Sequence, residues 1–225
     1  NRDPWYVPIP FAGPKFEKRA AFSTNPDGMP VCDEVVKAIK ESAKILSNNG
    51  WQVEEVECPP MQDAADVNAK LWMAETRYAA KGMIDKEDEA DSKFVFEQMT
   101  KRSPEIDMGG LLDALQKRAT LLREWQLFLS KYPVFITPVS GQLPFSQQLD
   151  VKSENDFENI MKAQLTQLAV PALGLPALSV FMGFSGTTPV GVQLIGARFR
   201  EDILIAAGTD IESSGEQPKC VDPNW

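Results

Sequence analysis

Two short apolar runs, 177–181 and 190–195, stand out in the hydrophobic pattern of the chain. Both are too short for helices and carry β-branched residues, so they read as buried strands. Residues 182–189 between them are dense in Gly, Ser, Thr and Pro, the composition of a turn. A helix is predicted to start near Arg200, with Glu201 and Asp202 placed to favour the positive end of its dipole. Ile203, Ala206, Ala207 and Ile211 recur at helical spacing and give that helix one apolar face. Strand, turn, strand and amphipathic helix make the inner wall of a layered α/β protein.

The same patterning organises the rest of the chain. Residues 18–24 read as a short strand, and Asn25-Pro26-Asp27-Gly28 as a turn. Asp33 is expected to cap a helix running to about Asn48, with Val35, Ile39, Ala43 and Leu46 on one face. Asn49 and Gly50 should stop it, since both tolerate the left-handed conformation. Residues 51–56 read as a second strand, so 18–58 forms a βαβ unit whose strands should be parallel.

After Pro59-Pro60, the stretch 61–132 reads as helical. One helix is expected over 63–83, another over 94–102, and a long one from Gly109-Gly110 to about Tyr132. The core stripe predicted for the long helix is Leu112, Leu115, Ala119, Leu122, Trp125 and Leu129. The acidic run 85–91 reads as a solvated loop or helix cap, because it lacks the ligand spacing of a calcium loop. Residues 133–211 hold a strand at 134–137, a loop at 139–150, a helix at 156–170, and then the strands, turn and helix described above. Residues 1–17 are a Pro-rich crossing segment and 212–225 a polar tail. The expected class is α/β, a mixed sheet flanked by helices in α/β/α layers, as a single domain or half-domain.

Composition narrows the chemistry. The 225 residues carry a formal net charge of −9. A polyanion would be repelled by such a surface, so neither nucleic acid nor an anionic membrane is an expected partner. No apolar run is long enough to span a bilayer, and the expected location is the cytoplasm. Cys32, Cys58 and Cys220 are an odd set without close pairing, which points to free thiols rather than disulfides or zinc. Histidine is absent, which removes Ser-His-Asp and Cys-His catalysis and His-ligated metals.

Three blocks carry a resemblance. They are Gly174-Leu175-Pro176-Ala177-Leu178-Ser179-Val180, then Pro189-Val190-Gly191-Val192-Gln193-Leu194-Ile195-Gly196, then Arg198-Phe199-Arg200-Glu201-Asp202. In order and spacing they resemble the C-terminal end of amidase-signature enzymes, with Phe181 standing where that family often has Pro. The βαβ unit, with its Asn-Pro-Asp-Gly turn, is similar to the segment after the family's catalytic core. The resemblance implies the C-terminal half of the amidase-signature fold. It also implies hydrolysis of a carbon–nitrogen bond in a small carboxamide by a serine nucleophile, a second serine in a cis peptide and a lysine, without metal or cofactor. A lysine serves as base when its surroundings keep it neutral, and backbone N–H groups hold the oxyanion.

None of that catalytic signature is found in this sequence, so no catalytic residue is assigned. Ser213-Ser214 reads as a helix end, and Gly183-Phe184-Ser185-Gly186 as turn chemistry. Lys15, Lys18, Lys70 and Lys93 have charged or polar surroundings. The resemblance makes Gln142, Leu143 and Phe145 candidate substrate-binding residues, on a loop beside the family's cleft. Asn1 is not a start methionine, and the sequence is expected to follow a missing N-terminal half that holds the reactive groups. On its own the chain is expected to be inactive, and to form a homodimer or aggregate through exposed strand edge. Two other readings stay open: a catalytically silent ligand- or partner-binding module, and part of an amidotransferase subunit.

Overall fold

A computed structural model describes residue 3 and residues 6–10 and 12–214. The polar tail beyond 214, Cys220 included, lies outside the described residues. Five strands form one mixed sheet: β1 (Arg19–Phe22), β2 (Gln52–Glu55), β3 (Val134–Pro138), β4 (Ala177–Ser185) and β5 (Thr188–Gly196), in the order β2-β1-β3-β5-β4. β1 is parallel to β2 and to β3, as the βαβ reading requires for the first pair. β5 is antiparallel to both β3 and β4.

Alternation along the strands builds a core on each face of the sheet. Ala20, Val134, Ile136, Val192 and Leu194 face α1 (Asp33–Asn48) and α8 (Glu201–Glu212), where they meet Ile39, Leu46, Ile203, Ala207 and Ile211. Ala21, Phe135 and Ile195 face the other way. They pack under α2 (Gln62–Ala79), α5 (Met108–Lys131) and α7 (Leu165–Leu173). The layered α/β arrangement is therefore as expected.

Several boundaries differ from expectation, each for a local reason. Asp33 does not cap α1. It is the first helical residue, Cys32 before it is extended, and no side chain caps the end. At the other end Gly50 alone takes the left-handed conformation, at φ +83°, while Asn49 stays at φ −92°. The helix expected over 63–83 breaks at Ala80 into α2 and α3 (Lys81–Glu87), and α3 buries none of its side chains. The acidic run is divided between the end of α3, a left-handed Asp88 and Glu89. The Glu89 carboxylate accepts from the Ser92 N–H and caps α4 (Ala90–Arg102).

The stripe expected along α5 is only half correct. Trp125 and Leu129 are buried, but Leu112 and Leu115 are 59% and 45% exposed. The buried face is instead Ala114, Leu121, Trp125 and Leu129, because only the second half of α5 lies over the sheet. The turn expected over 182–189 also shrinks. β4 and β5 continue until Ser185 pairs with Thr188, leaving Gly186 and Thr187 as a two-residue loop. Gly183, at φ +121°, sits at a bulge within β4 rather than in the turn.

Two polar clusters tie the outer parts together. The Asp210 carboxylate on α8 accepts from the Trp51 indole N–H (2.8 Å) and the Lys18 ammonium (3.0 Å). Burial pushes that carboxyl up, and these two donors outweigh it, leaving it below the usual carboxylate range. The Arg200 guanidinium pairs with Asp202, holding that carboxyl low, and donates to the Pro14 carbonyl. No helix among the described residues is long and apolar enough to cross a membrane.

Candidate functional site

β1 and β3 run parallel, and the chain leaves β3 at Pro138, at their carboxyl ends. In open α/β sheets that end is where ligand crevices form. The loop that follows is pinned on several sides. The Thr166 hydroxyl and the Gln167 amide both donate to the Val139 carbonyl, at 2.9 and 3.1 Å. The Gly141 N–H donates to the Ala163 carbonyl (2.7 Å), and the Gly141 carbonyl accepts from the Cys32 N–H (2.8 Å). A Cβ at position 141 would lie 2.2 Å from the Pro30 carbonyl oxygen, so the backbones approach as closely as only glycine allows.

This docking explains a further departure from expectation. The helix predicted over 156–170 is two helices, α6 (Glu154–Ala163) and α7, broken at Gln164. The Ala163 carbonyl is taken by the loop, and the Gln167 N–H turns to Gln164 instead. Gln164 and Gln167 are thereby brought to the same place as the loop.

Gln142, Leu143 and Phe145 line one cleft of about 320 Å³, together with Gln164, Gln167 and Ser179. Phe145 is 46% exposed, and Leu143 packs its inner side on the core under α1. The structure thus gathers the three residues marked in the sequence and adds two glutamines that sequence reasoning missed. Nothing in their spacing signalled them, since a polar residue within a helical pattern reads as a solvated face.

A polar row crosses the sheet from the cleft into the core. Ser179 on β4 is opposite Gln193 on β5, which is opposite Thr137 on β3. The Gln193 side-chain nitrogen is buried without a hydrogen-bond partner among the described residues. β4 is the outermost strand on this side, and its Ala177 and Ser179 are exposed.

Among the described residues the wall of this cleft carries no lysine, acid or cysteine. Its side chains can hold an amide through their own carboxamides and exclude water with Leu143 and Phe145, but they cannot deprotonate a serine. The other candidates are committed elsewhere. The Ser213 and Ser214 hydroxyls donate to Thr209 and Asp210 of their own helix. Lys93, Lys101 and Lys117 are bonded to carboxylates that hold them above the usual lysine range, the opposite of what a lysine base needs. Burial pushes the Cys58 thiol up to about 12, which makes it inert. Among the described residues no group of His, Cys, Asp and Glu gathers as a metal site.

Comparison with known proteins gives one consistent answer. Residues 11–205 match the family model described as Amidase. Indoleacetamide hydrolase of Bradyrhizobium diazoefficiens is 29% identical over 215 residues, covering 94% of this chain and 41% of that protein. Among solved structures, 6-aminohexanoate cyclic dimer hydrolase superposes with a TM-score of 0.70 at 18% identity, over 90% of this chain and 46% of that one. Kluyveromyces lactis allophanate hydrolase superposes at 0.72 and 20% identity, over 88% of this chain and 33% of that one. The chain thus spans less than half the length of these relatives, and its sheet and helices match part of the amidase-signature fold. It belongs to the amidase family.

Proposed function

We propose that this chain forms the C-terminal, substrate-side part of an amidase that hydrolyses the carbon–nitrogen bond of a carboxamide. The reactive serine, the bridging serine and the lysine belong to residues that precede Asn1 in the complete enzyme. One observation carries this reading: the cleft offers three carboxamide side chains and an apolar wall, yet holds no ionisable group among the described residues. The limited span against the relatives supports it, as does β4, an outer strand without a single charge.

In the reaction the serine oxygen adds to the amide carbon, and its proton passes through the second serine to the lysine. The amine leaves with that proton, and water then cleaves the acyl ester. Gln142, Gln164 and Gln167 orient the amide by hydrogen bonding. Leu143 and Phe145 shield it, which strengthens every electrostatic contact around the reacting carbon.

This assigns Phe145 to substrate binding rather than chemistry. In the complete enzyme, Phe145→Ala is expected to raise KM for an aryl carboxamide about tenfold while kcat stays within about twofold, the pattern of lost uniform binding. Steady-state kinetics checks it. A KM that does not move would contradict the placement of the substrate in this cleft.

A further inference from the structure

A second cavity, of about 650 Å³, opens beside the cleft. Much of its wall is apolar: Trp72 and Met73 come from α2, Phe96 and Met99 from α4, and Phe157 and Met161 from α6. Flexible thioethers and flat rings suit a ligand's hydrocarbon part, and the volume is that of a small-molecule site. Gln164, at the break between α6 and α7, lines both this cavity and the cleft. The two spaces therefore meet at one side chain. Asp91 and Asp150 stand on the wall of the second cavity, which among the described residues carries no lysine or arginine. A ligand carboxylate here would face two carboxylates, with no cation among the described residues of this wall to pair it.

We propose that this cavity receives the apolar substituent of the carboxamide held in the cleft, and that it selects aryl and alkyl amides over those carrying a carboxylate. The assignment rests on reading the cleft as the substrate side.

The test uses the chain as it stands and follows carbon-labelled methionine methyl groups by NMR. Of the eight methionines, Met73, Met99 and Met161 lie on this wall. Phenylacetamide should shift those three methyls and leave Met61 and Met108, which line neither the cavity nor the cleft, unmoved. Acetamide should shift none, and (4-carboxyphenyl)acetamide, whose carboxylate enters the cavity with the ring, should bind about tenfold more weakly than phenylacetamide. Trp72→Ala, at a side chain already 54% exposed, should keep the fold and weaken phenylacetamide about tenfold. The double variant Asp91→Asn with Asp150→Asn should remove the discrimination against (4-carboxyphenyl)acetamide.

The proposal is overturned if phenylacetamide moves none of the three methyls, or moves all eight alike. It is also overturned if (4-carboxyphenyl)acetamide binds equally well to the unaltered chain, or if Trp72→Ala changes nothing. The two readings fail separately. A complete enzyme that hydrolyses acetamide as readily as phenylacetamide would sink the cavity's role and spare the amidase reading. Phenylacetamide bound at these methionines, in an enzyme whose KM ignores Phe145, would sink the cleft reading and leave the cavity only as a site for the aryl group.

Discussion

Gly141→Ala is expected to destabilise the protein by about 3 kcal/mol, the upper end of the range for overpacking. The added methyl would sit 2.2 Å from the Pro30 carbonyl oxygen and 2.8 Å from the Met29 methyl. The methionine can turn aside, but a backbone carbonyl cannot move alone. Relief therefore requires the loop to lift, which breaks the bonds from Gly141 to Ala163 and from Cys32 to Gly141. Both are backbone pairs at a buried position, and orphaning either group costs about as much as the clash itself. The same lift would carry Gln142, Leu143 and Phe145 out of the cleft. Urea denaturation gives the stability loss directly. A midpoint unchanged from the parent protein would mean that the loop does not depend on this close approach.

Trp125→Ala should cost about 3–5 kcal/mol, the usual range for an aromatic deleted from a sealed core. Trp125 is fully buried, with ring centroids 5.9 Å from both Phe128 and Phe135. It joins α5 to the centre of the sheet at β3, where Phe135 is also fully buried. Trp125→Phe should cost much less, about 1 kcal/mol. It keeps a ring and removes an indole N–H that is buried without a partner among the described residues. The comparison separates packing from polarity. Equal losses in the two variants, read from denaturant midpoints at constant slope, would contradict the packing account.

Much of the architecture was legible because packing and pattern agree. Short β-branched runs became β4 and β5, and the strand–helix–strand spacing of 18–58 became a parallel pair around α1. Legibility failed where the deciding contact was remote. The periodic pattern over 156–170 says one helix, and a loop docked on Ala163 makes it two. On α5 the pattern recorded a continuous apolar stripe, but the sheet covers only its second half. Of the cleft, Gln142, Leu143 and Phe145 were marked by family resemblance alone. Gln164 and Gln167 were invisible because their role comes from the break in the helix, not from their identity. The gap in chemistry was plain from composition: with no histidine and no lysine in a base-like setting, the chain offered nothing to activate a nucleophile.

The central claim is that these residues hold an amide and the chemistry is supplied by residues ahead of them. Purified protein beginning at Asn1, incubated with phenylacetamide, tests it most directly through the release of ammonia. The account predicts none above the buffer rate, while the complete enzyme releases it steadily. Steady ammonia release by this chain alone would contradict the account.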